Sequence, residues 1–300
     1  MSNPSPPCPN RDKKSAMQLT NDKLIITERM AYLHGLLKLH DGSPRLLSCT
    51  MFPSPFPKAV LDFAESLQPE LNLLFHKVAL DHEFLDRIFK HIADHDDYVK
   101  HLWDIYSRVR GTEHNKQVIF LGLNRSDYML DQGNDAILST ETSSLAKLHR
   151  IDTAASYPIS TDSWSGLTLR QVEFNLMASS FCGLGPRLVK FHRAVLGLNQ
   201  FRDEQIRRVP DCSSAEKFAT AIGFAHKLYM QSTSGLNQSE RGCGILMIVS
   251  SDETNIFDQT AILEELALKH PHIPLLVRTL VQLEEPTEGL SVDSSRRLFV

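Results

Sequence analysis

The sequence predicts a mixed α/β (α+β) fold, on three observations. Apolar residues recur with helical period almost throughout residues 59 to 110. Val172, Phe174 and Leu176 alternate with Gln171, Glu173 and Asn175, the period of a strand. Finally, GILMIVSS (244 to 251), IFDQTAILEELALKH and IPLLVRTL (273 to 280) read as buried strand, helix and buried strand. That order implies a βαβ unit with a parallel sheet.

The elements follow in chain order. MSNPSPPCPNRDKKSA is rich in proline and serine, so residues 1 to 22 are expected to form a disordered tail. KLIITERMAYLHGLLKLH (23 to 40) reads as one helix stopping near Asp41-Gly42, and the prolines of MFPSPFP (51 to 57) force an extended connector. Three apolar stripes then read as core: Leu71, Leu74, Phe75 and Val78; Phe84, Leu85, Ile88, Phe89 and Ile92; and Val99, Leu102, Trp103 and Tyr106. QVIFLGL (117 to 123) is a short continuous apolar run, expected as a strand buried on both faces and ending in NRSDYM. Residues 132 to 168, rich in Ser and Thr, read as a mobile insertion between two strands. After the alternating segment, Gly183 and Gly185-Pro186 precede a helix with the stripe Leu188, Phe191, Val195. Another helix starts at SSAEKF, where Ser213 and Glu216 have capping-box spacing, with the stripe Phe218, Ile222, Ala225, Tyr229. QSTSGLNQSERG (231 to 242) marks a domain boundary, and RRLFV (296 to 300) reads as the start of a further strand.

Composition excludes several classes. A formal net charge of -4 and no lysine or arginine run argue against a nucleic-acid or anionic-membrane binder. No apolar run has the length of a signal-peptide core followed by a cleavage site, or of a transmembrane helix. Five scattered cysteines without CxxC spacing suit a reducing, cytoplasmic setting.

Three polar clusters lie at predicted strand ends, where ligands of open α/β sheets bind. The first is Asn124-Arg125-Ser126-Asp127-Tyr128, in which the planar fork of Arg125 suits a carboxylate. Its plainer alternative is a local pair with Asp127. The second is Glu173 with Asn175, two hard oxygen donors suited to Mg²⁺. Beside them MASSFCG offers hydroxyls and a turn whose backbone N–H groups suit a substrate carboxylate; the alternative is a solvated strand face. The third is Glu253, Asn255 and Gln259 at the start of a helix, whose N-terminus favours anions; the alternative is a capping box of Asn255 with Asp258.

Other motifs carry less. GLGPRL lacks the third glycine of a dinucleotide fingerprint. His91 and His95 have i, i+4 spacing but no third ligand, so they read as a solvated helix end. Cys182 has no basic partner and reads as packing.

Taken together, FLGLNRSDYM (120 to 129), RQVEFNLMASSFCGL (170 to 184), ETNIFDQTAILEELA (253 to 267) and RRLFV resemble the eukaryotic-type glutathione synthetases. FPSPFP and the helix around Asn72–Phe75 match more loosely. The resemblance implies a cytoplasmic, homodimeric ATP-grasp ligase that joins γ-glutamylcysteine to glycine. ATP, with Mg²⁺, would phosphorylate the cysteinyl carboxylate, and glycine would attack the acyl phosphate. It further implies that Arg125 contacts the dipeptide, and that Glu173 and Asn175 bind Mg²⁺, with Glu173 also near ATP. The loop Met177, Ala178, Ser179 and Ser180 would hold substrate through backbone and the Ser180 hydroxyl. Glu253, Thr254, Asn255 and Gln259 would complete the dipeptide site.

The sequence departs from that family where Ala178 replaces a serine, Cys182 replaces a small residue, and residues 132 to 168 are longer than usual. The family continues beyond RRLFV, and its phosphate-binding lysines, further metal glutamate and glycine-rich lid have no counterpart in these 300 residues. The expected organisation is therefore an incomplete ATP-grasp domain over residues 23 to 240 and the beginning of a parallel α/β substrate-binding domain over 241 to 300. Such a chain is expected to be inactive alone. The alternative is a non-enzymatic paralogue that binds a thiol peptide or a full-length synthetase subunit.

Overall fold

A computed structural model describes residues 21–110, 119–132, 167–176, 179–233, 243–284, 291–292 and 298–299. Residues 1 to 20 of the expected tail and most of the expected insertion lie outside these residues. Helix α1 (Asn21–Leu33) begins within the expected tail and is shorter than the sequence suggests. Leu37–His40 and Ser43–Leu46 are instead strands β1 and β2 of an antiparallel hairpin. Its turn is Asp41-Gly42, both at positive φ (48° and 71°). Asp-Gly is the pair a two-residue hairpin turn demands, so these residues reverse a strand rather than end a helix. Ala31, Leu36, Phe191 and Val195 bury together and join α1 and the hairpin to α5 (Leu184–Leu198). The stripe expected on α5 is therefore core.

Helices α2 (Lys58–Leu80), α3 (His82–Ala93) and α4 (Asp97–Arg110) occupy the expected helical region. Asp81 caps α3 by accepting from the Phe84 backbone N–H at 3.0 Å. None of the three expected core stripes is buried: Leu74 and Phe84 are exposed, and Leu71, Phe75, Val78 and Leu85 are half-buried. Phe89 stacks on Trp103 at 5.5 Å, and Trp103 meets Tyr106, whereas Ile88, Ile92 and Leu102 stay exposed. Two helices lying side by side cover one flank of each stripe and leave the other open.

The run FLGL is not strand among the described residues, and Phe120 and Leu121 are exposed. The strand is the polar segment after it, β3 (Arg125–Gln132), antiparallel to β4 (Leu167–Asn175). Gln132, Leu167 and Thr168 thus belong to the sheet rather than to the insertion. Strand period explains the choice. Tyr128 and Leu130 turn towards Val60, Ala64 and Leu169 on one face, with α2 packed over them. Phe75 of α2 stacks on Phe174 of β4 at 3.9 Å between ring centres. The opposite face is left for the polar residues.

α6 (Asp203–Arg207) leads to α7 (Ser214–Thr233). The α7 face that buries is Ala215 and Ala219, with Phe218 and Ile222 at its flanks and Tyr229 exposed. Glu216 reaches Lys269 of the neighbouring helix at 3.0 Å, so its carboxylate serves a tertiary pair. β5 (Ile245–Val249), α8 (Ile256–Lys269) and β6 (Leu275–Thr279) form the expected parallel βαβ unit. Its strands are half-buried rather than buried, with Ile248 and Val277 exposed. A short α9 (Leu280–Glu284) follows, and β7 (Ser291–Val292) pairs antiparallel with β8 (Leu298–Phe299). No helix among the described residues is long and apolar enough to cross a membrane.

Candidate functional site

The β3–β4 register sets the first half of the site. Arg125 lies opposite Asn175, and Asp127 opposite Glu173, so four polar side chains share one face. The Arg125 guanidinium holds Asp127 with a two-pronged grip, Nε to Oδ1 at 2.7 Å and Nη2 to Oδ2 at 2.9 Å. The plainer sequence alternative, a local Arg125–Asp127 pair, is therefore present. It is not the whole role of the residue. Nη1 donates to the Ser180 carbonyl at 2.9 Å, Nη2 lies 3.5 Å from Glu173 Oε1, and the Phe181 ring sits 5.5 Å away. The hydrogen bond from Arg125 holds the Asp127 carboxyl below the usual carboxylate range, against the opposing effect of burial. The same bond raises the Arg125 pKa.

Glu173 and Asn175 stand side by side, the Asn175 amide nitrogen 3.0 Å from Glu173 Oε1. The two ends of an amide differ little in shape, so a half-turn places the amide oxygen there instead. An octahedral Mg²⁺ with ligands at 2.0–2.1 Å has neighbouring oxygens about 2.9 Å apart. The pair therefore fits as two adjacent ligands, with phosphate and water left to supply the rest. Among the described residues no group of three His, Cys, Asp or Glu side chains is placed to hold a metal. His91 and His95 are exposed, in keeping with a solvated helix end.

The second half arrives from 75 residues further along. Asn255 Nδ2 donates to Ser180 Oγ at 3.1 Å. Ser180 is thus held at both ends, its carbonyl by Arg125 and its hydroxyl by Asn255. Ser179 Oγ closes the loop back onto the Asn175 carbonyl at 3.2 Å. Met177 and Ala178 lie outside the described residues. Asn255 occupies the N-cap position of α8, but its side chain makes no cap hydrogen bond, so the capping-box alternative does not form. Glu253 instead ties the loop to the helix start: Oε1 accepts the Asn255 N–H at 2.6 Å and Oε2 accepts Gln259 Nε2 at 2.6 Å. The exposed Thr254 gives its carbonyl to the Leu39 N–H at 2.8 Å, which ties the hairpin to this loop. Glu253 and Gln259 also border a 290 Å³ cleft with Val249, Ile256 and Leu263, at the carboxyl end of β5.

One residue was not legible as functional. Asp258 is 2% exposed, yet its carboxylate accepts three backbone N–H groups, those of Phe181, Gly183 and Leu184, each at 2.8 Å. The expectation that this turn's N–H groups receive a substrate carboxylate is corrected at these three positions, because the chain's own carboxylate fills them. A signal existed: Asp258 shares the inward stripe of α8 with Ala261 and Leu266. Gly183 has no room for a side chain here, since a Cβ would lie 2.7 Å from the Asp258 carbonyl oxygen. Cys182 is buried, and burial pushes its thiol up to about 12, which agrees with a packing role.

Comparison with known proteins now decides the family. The family model described as "Eukaryotic glutathione synthase, ATP binding domain" matches residues 27–245, and that described as "Eukaryotic glutathione synthase" matches residues 243–300. This chain belongs to the eukaryotic glutathione synthase family. It is 30% identical to the glutathione synthetase of Mus musculus over 251 residues, which covers 84% of this chain and 44% of the mouse protein. Identity is 32% to that of Macaca fascicularis and 31% to that of Homo sapiens, with the same coverage of 84% and 44%. The chain thus spans less than half the length of these curated relatives. A solved structure of a glutathione synthetase-like effector from Globodera pallida, in apo form, aligns with TM-score 0.65 at 21% identity. It covers 95% of this chain and 56% of that one, and shows the shared fold.

Proposed function

We propose that this glutathione synthase family chain carries the dipeptide- and metal-binding side of an ATP-dependent ligase that joins γ-glutamylcysteine to glycine. The observation that supports it most is the double hold on Ser180, which gathers Arg125, the 179–180 loop and Asn255 into one polar surface. In this reading residues 23 to 240 are the first part of an ATP-grasp domain and 241 to 300 begin the substrate-binding domain. The junction of the two family matches near residue 243 supports that division.

The residues have distinct tasks. Arg125 presents a fixed cation to a substrate carboxylate, with Asp127 holding its plane. Ser179 and Ser180 form the surface against which the dipeptide lies, and Met177 and Ala178 would also hold it. Asn255 and Gln259 present amides to its polar ends, and Glu253 and Thr254 fix the loop that carries them. Glu173 and Asn175 would hold Mg²⁺, with Glu173 facing ATP. Bound there, the metal offsets negative charge where phosphate meets carboxylate. Glycine attack on the acyl phosphate would release inorganic phosphate and leave the new amide. A homodimer in the cytoplasm completes the reading, and light scattering after size-exclusion chromatography tests the dimer.

Calorimetric titration of the chain with γ-glutamylcysteine tests the dipeptide site. Saturable binding is expected, weakened about tenfold or more in Asn255→Ala, the loss of roughly 1.4 kcal/mol typical of one well-placed polar contact. Equal affinity for wild type and variant refutes the assignment.

A further inference from the structure

We infer that Asp258 is the positioning residue of the substrate loop, acting through Ser180 rather than by touching substrate; this rests on the dipeptide-site reading above. Three observations carry it. The carboxylate is buried, so it must be fully partnered to persist there. Its partners are the N–H groups of Phe181, Gly183 and Leu184, plus the Asn255 amide at 3.4 Å. Phe181, next to Ser180, is held at φ 71°, a left-handed conformation that a phenylalanine rarely adopts. The N–H of that residue points at Asp258, so the carboxylate holds the turn from within, beside the Ser214 hydroxyl on the Cys182 carbonyl and the Gly185 N–H on the Phe181 carbonyl.

The consequence falls on Ser180. Reversing the chain at Phe181 sends the Ser180 carbonyl to Arg125 and leaves its hydroxyl facing Asn255. Asp258 also touches that same asparagine. Its short contacts, from the first turn of α8, are to the loop, and the 3.4 Å approach to Asn255 is the longest of the four. A neutral amide in its place keeps the shape but presents N–H to N–H at one position. The loop is then free to relax to a less strained φ, and Ser180 turns away.

Two measurements on the whole chain test this. Hydrogen exchange of the wild type is expected to show the Phe181, Gly183 and Leu184 amides protected to the level of α8, although Phe181 and Gly183 lie outside any helix. Asp258→Asn is expected to speed their exchange roughly 10- to 100-fold, as loss of charge-assisted bonds implies. Exchange at open-loop rates in the wild type, which needs no variant to fold, overturns the inference, as does unchanged exchange in Asp258→Asn. The second measurement is γ-glutamylcysteine affinity in wild type, Asp258→Asn, Ser180→Ala and the double variant. Asp258→Asn is expected to weaken binding about tenfold or more alone and about twofold or less in the Ser180→Ala background. Fully additive losses mean that Asp258 does not act through Ser180, and overturn the assignment. Should the wild type bind no dipeptide while the amides behave as expected, the dipeptide-site reading falls and the anchoring of the loop by Asp258 stands.

Discussion

Replacing Arg125 by lysine tests whether the site is held by the fork of the guanidinium or merely by its charge. Arg125 makes three short hydrogen bonds, at 2.7, 2.9 and 2.9 Å, to two different partners. A lysine ammonium reaches Asp127 or the Ser180 carbonyl, and keeps at most one of these geometries. Two hydrogen bonds involving a charged group are lost, each about 1.5 kcal/mol at the low end for a site only part-buried. The contact with Phe181 adds about 0.5 kcal/mol. Screening at a side chain 29% exposed removes part of this, so Arg125→Lys is expected to lower stability by about 2 kcal/mol. Arg170→Lys is the control. That side chain is 44% exposed and meets Asp131 in one ion pair at 3.3 Å, so its loss is about 0.5 kcal/mol or less. Urea unfolding followed by circular dichroism reads both. Losses equal within 0.5 kcal/mol refute the claim that fork geometry holds the site together.

Three further outcomes are expected. The folded-state pKa of Asp127 lies below its unfolded value, so the Arg125–Asp127 pair stabilises the fold above the ordinary carboxylate range. That contribution disappears as pH falls through the lowered value, and acid unfolding of Asp127→Asn should therefore lack it; identical acid transitions count against the pair. Gly183→Ala drives a methyl group into the Asp258 carbonyl and is expected to cost about 1–3 kcal/mol by urea unfolding, with a neutral result showing that α5 and α8 are not in close contact there. Cys182 is expected to resist thiol reagents in the folded chain while exposed Cys212 reacts, because at about 12 against an ordinary 9.0 it holds roughly a thousandfold less thiolate; mass-spectrometric mapping of an early-labelled Cys182 contradicts this.

Local pattern made the helices and the βαβ unit legible, since each is specified by its own periodicity. It misjudged two places where partners decide. The apolar residues of Leu37–His40 fit either period and read as the end of a helix, and only the Asp-Gly turn with the pairing to Ser43–Leu46 selects a strand. FLGL outranked RSDYMLDQ on hydrophobicity, but β4 pairs with the polar segment and so places Arg125 and Asp127 opposite Asn175 and Glu173. The polar clusters were legible as residue types at strand ends. Their convergence was not, because the contact of Asn255 with Ser180 spans 75 residues. Asp258 is a related case: from sequence it reads as the capping-box partner of Asn255, and only packing shows it buried against three N–H groups. The stripes of α2, α3 and α4 read as core and are not, since period shows which face is apolar but not whether anything covers it.

The most direct test of one shared dipeptide site is amide chemical-shift mapping during a titration with γ-glutamylcysteine. Residues around Arg125, Ser179–Ser180 and Glu253–Asn255 are expected to shift together, with a single dissociation constant, while α3 and α4 stay still. Shifts confined to one segment, segments that saturate at different concentrations, or no shifts at millimolar dipeptide would contradict it.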